Sequence, residues 1–155
     1  MPRFHGMPVA TAESFRGGAP DAYGNPPERQ RSDGGAPCRC CLRMIPEGAA
    51  MLVLAYRPFV SLQPYAETGP VFLCADACAP DSAAEGSLPA ILVSPDYLLK
   101  GYCAEERIVY GTGQVTPVPE IAAYADALLA RPEVAFVDLR SARNNCWQAR
   151  LTRSA

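Results

Sequence analysis

Hydrophobic residues fall into short runs separated by breaks rich in glycine and proline. Residues 50–57, Ala-Met-Leu-Val-Leu-Ala-Tyr-Arg, are one such run, with Pro46-Glu47-Gly48 before it and Pro58 after it. A short, continuous apolar run between turn signals predicts a buried strand. Val71 to Ala75 predicts a second strand. Ala90 to Val93 suggests a short strand, Pro95 to Leu99 a helical turn, and Arg107 to Gly111 a strand turned by Gly111-Thr112-Gly113. The period then changes. Ile121, Tyr124, Ala125, Leu128 and Leu129 lie on one face at helical spacing, which predicts a helix from about Pro119 to Arg131. Pro119 suits its first turn, Glu120 its positive end, and Pro132 stops it. From Val134 to Arg140 the pattern alternates, with Ala135, Val137 and Leu139 on one face. Cys146 to Arg153 closes the chain as a strand. Asn144-Asn145 favours positive φ, so these last two strands predict a hairpin joined by Ser141 to Asn145.

Residues 1–36 carry no comparable pattern. Val9 to Phe15 fits a short strand or a helical turn, and from Arg16 to Pro37 there are only breakers such as Gly17-Gly18 and Asn25-Pro26-Pro27. The expectation is an irregular N-terminal arm over 1–36 and one domain over 37–155. The segment from Cys78 to Ser87 also reads as loop. The predicted fold is α+β: a mainly antiparallel sheet, half-barrel-like, with one main helix near the C-terminus.

Composition narrows the function classes. At 155 residues a chain buries about 70% of its unfolded surface, so it does not need disulfides or a metal to fold. The net charge of −2 argues against nucleic acid and against an anionic membrane surface as partner. The N-terminal residues have no apolar core of signal-peptide length and no run approaches a membrane span, which points to the cytoplasm. There, seven cysteines read as thiols or metal ligands, not disulfides. The basic residues are thirteen arginines and one lysine, Lys100. Codon bias explains such an excess, and so does a need for forked binding of carboxylate or phosphate.

Cys38-Arg39-Cys40-Cys41 opens the most informative stretch. Two cysteines separated by two residues in a tight turn can both point at one ion, and four thiolates in a tetrahedron suit zinc. The candidate set is Cys38, Cys41, Cys74 and Cys78. Cys40 could replace Cys41, and being adjacent to it, one of the two must point away. Plain burial as small hydrophobes is the alternative. A redox site is a third reading, because Arg39 and Arg43 would lower a nearby thiol's pKa. Four cysteines would close the metal's shell, which argues for a structural zinc and against metal-dependent hydrolysis. Cys38-x-x-Cys41-x-x-x-Ile45-x-x-Gly48 is similar to rubredoxin-type knuckles and to the start of zinc fingers of the poly(ADP-ribose) polymerase type.

Several segments together resemble the uncharacterised bacterial family called domain of unknown function 1203. They are Pro37-Cys38-Arg39, Leu42, the Gly48 turn, the strand ending at Tyr56, Pro64-Tyr65, Gly69-Pro70-Val71-Phe72, the helix with its Arg-Pro-Glu-Val end, and Asn145-Cys146-Trp147-x-x-Arg150-x-x-Arg153. The resemblance spans most of 37–153 and implies no activity. It implies that Cys38-Arg39 and the Cys146, Arg150 and Arg153 end are general, whereas Cys41, Cys74 and Cys78 mark one branch. In that branch position 74 is often His, so Cys74 is a ligand-for-ligand exchange that favours a metal. Position 138 is His in the family pattern and Asp here.

The general pieces suggest a polar, ligand-binding pocket of Arg57, Tyr65, Asp138, Arg140, Asn145, Cys146 and Arg150, with Glu67 and Asn144 beside it. Asp138 and Arg140 are two apart on one strand, and Gln148 and Arg150 on the next, so Arg140 and Arg150 could gather on one face around a small anion. A solvated face of surface ion pairs is the plain alternative. With His5 as the single histidine there is no Ser-His-Asp set, and Gly111-Thr112-Gly113 lacks the rest of a phosphate loop. The leading expectation is a small binding domain with a structural zinc knuckle and a protein or small anionic partner. The alternative is a thiol-dependent or small-anion-binding enzyme that uses Cys146 and the arginine face.

Overall fold

A computed structural model describes residues 1–80 and 87–154. The sequence-predicted loop from Cys78 to Ser87 lies largely outside them. The fold is α+β with antiparallel sheets. In chain order the elements are β1 (Arg3–His5), α1 (Val9–Arg16), β2 (Glu28–Arg31), β3 (Ala36–Pro37), β4 (Met44–Ile45), β5 (Ala50–Tyr56), β6 (Gly69–Cys74), β7 (Asp96–Tyr102), β8 (Gln114–Pro117), α2 (Ile121–Leu129), β9 (Phe136–Ser141) and β10 (Trp147–Thr152). A 3-10 turn, Val118–Glu120, leads into α2. The strands divide among three sheets: five strands in the order β1-β10-β9-β7-β8, three in the order β2-β5-β6, and the pair β3-β4. Among the described residues no helix is long and apolar enough to cross a membrane.

The five-stranded sheet has one apolar and one polar face. Tyr97, Leu99, Val137, Leu139 and Leu151 pack against Ile121, Ala125, Leu128 and Leu129 of α2. The helix thus buries the face its spacing predicts. Full burial of such side chains contributes about 1.5–3 kcal/mol each. On the other face, Lys100 pairs with Asp138, Leu98 with Arg140 and Tyr102 with Phe136, and β10 sets Trp147 opposite Arg140 and Arg150 opposite Asp138. A bulge between Trp147 and Ala149 makes this possible. It inserts one residue, so Trp147 and Arg150, three apart, share a face. The expectation that Gln148 accompanies Arg150 is corrected for that reason: Gln148 faces a different cleft.

Three readings of the middle of the chain also need correction. Residues 96–99 belong to β7, not to a helical turn over 95–99, because Tyr97, Leu99 and Gly101 alternate inward and both β8 and β9 supply partners. Ala90 to Val93 is a turn that buries Ile91 against Leu42 and Ala149. Residues 107–111 make only the single bridge Tyr102–Ile108.

The segment read as an irregular arm is ordered into both large sheets. β1 pairs with β10 and β2 with β5. Met7 and Ala12 are buried in the core beneath the three-stranded sheet, with Phe15 packed on it. β2, Glu-Arg-Gln-Arg, is exposed at every position, so its pairing rests on backbone bonds and leaves no hydrophobic pattern. Charged side chains of this kind are usual on an edge strand.

Candidate metal centre and the arginine clefts

The β3-β4 ribbon presents the first two cysteines. Its connecting turn is closed by hydrogen bonds from Cys38 N–H to Arg43 O at 2.9 Å and from Leu42 N–H to Cys38 O at 3.0 Å. Leu42 sits at φ 55, a left-handed conformation that costs a non-glycine residue about 1–2 kcal/mol. Its side chain is fully buried against Ile91 and Ala149, which offsets that cost. The turn leans on β6: Arg39 N–H donates to Phe72 O at 3.0 Å, and Cys74 N–H donates to Cys38 Sγ at 3.4 Å. β6 thereby delivers Cys74, and Cys78 follows four residues later.

The sulfurs of Cys38, Cys41, Cys74 and Cys78 all lie within 4.8 Å of one another. Cys38 and Cys78 are 3.9 Å apart. Four thiolates about 2.3 Å from a central zinc would stand about 3.8 Å apart, so the donor set fits a tetrahedral thiolate site. Cys38 is the acceptor of the group. Hydrogen bonds from the Cys41 and Cys74 side chains hold it well below the ordinary thiol range. Its neighbour Cys41 is pushed up to about 12, chiefly by its hydrogen bond to Cys38. A metal would replace those shared protons, which is how thiolate sites couple binding to proton release. Cys40 stays outside the four. It is buried, and that burial, with Cys78 nearby, pushes it up to about 11. All seven cysteines are free thiols.

Arg16, at the end of α1, is the outer partner that sequence spacing does not reveal. Its Nη2 donates to Cys78 Sγ at 3.1 Å, its Nε to Cys74 O at 2.9 Å, and its Nη1 to Glu13 at 2.7 Å. A guanidinium on a ligand sulfur disperses thiolate charge and orients the ligand. Gly6 is the second unforeseen residue. A Cβ there would stand 2.4 Å from Arg39 O and 2.7 Å from Cys40 O, so only glycine lets this segment lie on the cysteine turn. Arg39, almost wholly buried, ties the turn to the large sheet by donating to Trp147 O at 2.6 Å and Pro37 O at 2.7 Å. Burial lowers its pKa to about 10.

The expected arginine pocket divides into three places. In the first, on the polar sheet face, Glu67 Oε2 is 2.7 Å from Arg140 Nη2, close as an ion pair but not aligned as a hydrogen bond. Glu67 also accepts from Lys100 Nζ at 2.8 Å and Tyr102 at 3.2 Å, and Arg140 Nη1 donates to Asn145 O at 3.0 Å. Burial alone would push Glu67 up; the hydrogen bond from Lys100 and the charge of Arg140 outweigh it and hold the carboxyl below its ordinary value. Tyr65 stands apart, its hydroxyl 2.9 Å from that of Tyr110. In the second place, Asn144 and Cys146 line a cleft of about 230 Å³ with Arg39 and Gln148. The Cys146 thiol donates to Asn144 O at 3.7 Å.

Arg57 and Arg150 meet in the third place, a cleft of about 350 Å³ between the N-terminal segment, the exit of β5 and β10. Arg150 is fixed. It grips Asp138 through Nε at 2.7 Å and Nη2 at 2.9 Å, donates to Pro58 O at 2.6 Å, and lies 3.7 Å over the Phe136 ring and 5.3 Å over that of Phe59. Asp138 is fully buried, and burial pushes its carboxyl up against the pull of Arg150. Arg57 is different: its Nε is buried without a hydrogen-bond partner. Trp147 lines the same cleft beside Tyr56, ring centroids 5.4 Å apart. Its indole N–H, turned toward Asp138, completes no hydrogen bond. Burial pushes Tyr56 up to about 12.

Residues 35–153 match the family described as a protein of unknown function, DUF1203. No curated protein and no solved structure matches the chain.

Proposed function

The chain belongs to the DUF1203 family, and from that premise we propose that it is a small cytoplasmic binding domain whose framework includes a structural zinc knuckle. Cys38, Cys41, Cys74 and Cys78 are the ligands, and Arg16 supports the ligand sulfur of Cys78. The observation that carries the reading is the convergence of four thiols from two distant segments within 4.8 Å. Four sulfurs complete a tetrahedral shell and leave no open position, which is the arrangement of a structural rather than a catalytic zinc. The zinc joins the β3-β4 turn to the end of β6, and the surfaces around it serve a protein partner or a small ligand. Seven unpaired cysteines accord with a reducing compartment. The enzyme alternative has less support, because Cys146 and Arg150 open onto different clefts.

Elemental mass spectrometry of protein purified under reducing conditions tests the reading. About one zinc per chain, absent from Cys74→Ser, is expected. Wild-type protein that carries no metal, and takes none up when refolded with zinc, would sink it.

A further inference from the structure

Among the described residues, the cleft between β5 and β10 contains a cation, Arg57, that forms no ion pair. Each carboxylate near it is already engaged. Asp138 is held by Arg150 in a two-pronged pair. Glu106 accepts from Val60 N–H at 3.0 Å and Ser61 N–H at 2.9 Å. Asp21, across the neighbouring hollow that Arg57 also lines, accepts from the N–H groups of Ala55 and Asn25, both at 3.0 Å. Among the described residues Arg57 makes no ion pair and no hydrogen bond, although its Nε is buried. A buried donor left without an acceptor loses its hydration with nothing in return. Such a cost is tolerated where an incoming group supplies the acceptor.

The surroundings define that group. Arg150 spends Nε and Nη2 on Asp138 and Pro58, which leaves Nη1 without a described acceptor. The first turn of α1 borders the same cleft through Pro8 and Thr11, and its N-terminus has no side-chain cap, so its positive end adds to the field. The remaining wall is mostly apolar, with Phe59, Val60, Trp147 and Pro8, and includes the Tyr56 and His5 rings. A volume of about 350 Å³ lies in the range of small-molecule sites.

We propose that this cleft binds a small organic anion, a carboxylate or phosphate monoester with a flat apolar body, whose charged end meets the guanidinium of Arg57. The body lies against Trp147 and Phe59, and the already paired Arg150 orders the wall and adds a second donor. This names the ligand class for the binding-domain reading and rests on that reading. It does not depend on the cysteine turn for its chemistry.

The chain has one tryptophan, Trp147, and that residue lines the cleft. Its single indole N–H resonance therefore reports occupancy directly. Nitrogen-15-labelled full chain, purified under reducing conditions with zinc supplied, is titrated separately with benzoate, phenyl phosphate, inorganic phosphate and benzylamine. Saturable shifts of the indole signal with benzoate or phenyl phosphate are expected, with none from benzylamine. Whichever of the two binds more tightly identifies the charged group. Arg57→Met should weaken binding at least tenfold while the rest of the spectrum reports an intact fold. Val60→Asp, at a position 95% exposed, should weaken it several-fold by placing a negative charge at the mouth, and remains informative if Arg57→Met fails to fold. Three outcomes overturn the proposal: no saturable shift with either organic anion, an equal response to benzylamine, or inorganic phosphate binding as tightly as phenyl phosphate. The zinc content of the same sample is measured alongside. One zinc with no anion response defeats the cleft alone, whereas an anion response without zinc defeats the knuckle alone.

Discussion

The half of the molecule built on α2 and the half built on the cysteines bury different material. Under α2 the filling is Leu, Ile, Val and Tyr side chains, most of them with no exposed surface, on a five-stranded sheet with six- and seven-residue strands at its centre. Around the cysteine turn the buried set mixes small residues, Cys38, Cys40, Cys41, Ala12 and Ala36, with larger ones such as Met51, Leu52, Leu54 and Leu73, and the ribbon presenting the first two cysteines has two residues in each strand. Small side chains remove little apolar area from water, and an isolated two-stranded ribbon is marginal at best. One half is therefore held by area. The other combines a filling of mixed size with a short ribbon, and four converging thiols are placed to cross-link it.

The sharpest break of this comparison is removal of the proposed zinc. Chelation should raise amide exchange in 36–45 and 69–74 about a hundredfold or more, with α2, β9 and β10 changed little; hydrogen-exchange mass spectrometry reads both halves in one experiment, and uniform loss of protection would erase the distinction. Next in size, Asp138→Ala leaves the Arg150 guanidinium half-buried without its carboxylate. We expect about 3 kcal/mol of destabilisation by chemical denaturation, since breaking one partner of a buried pair is costly. Gly6→Ala should cost about 1–3 kcal/mol by forcing the Arg39 carbonyl away, and it should loosen the cysteine turn more than the α2 core. The smallest effect is electrostatic. Glu67 is held below its ordinary value of 4.5, so the stability it contributes is present above that value and is lost as pH falls through the lowered folded-state value. Glu67→Gln should remove that part of the acid sensitivity and cost about 1 kcal/mol or less near neutrality, because the pair is partly screened.

The sequence made the two halves legible to different degrees. α2 is readable because Ile121, Ala125, Leu128 and Leu129 repeat at helical spacing, and β5 because its apolar run is continuous. The four-cysteine set is readable from spacing alone. What was not readable depends on partners far along the chain. β2 has no hydrophobic pattern because its pairing is entirely backbone. β7 reads as a helical turn until β8 and β9 flank it. Arg16 lies 62 positions from Cys78, and no local signal links a guanidinium to a distant sulfur. The pairing of Gln148 with Arg150 on one face was unreadable for a local reason: a one-residue bulge in β10 moved Gln148 away from Arg150 and brought Trp147 to it. A bulge leaves no hydrophobic signature in six residues.

Among the described residues, strand β1 has its only sheet neighbour in β10, and His5 reaches Thr152 across 147 positions at 2.8 Å. On the ribosome, β1 and the segment leading to Gly6 therefore have no sheet to join until nearly all of the described chain has been synthesised. The β5-β6 hairpin and the cysteine turn can meet much earlier. Contacts of such long sequence separation form late, so the cleft bordered by the first ten residues comes into being only as the last strand is laid down, and a truncated product cannot assemble it.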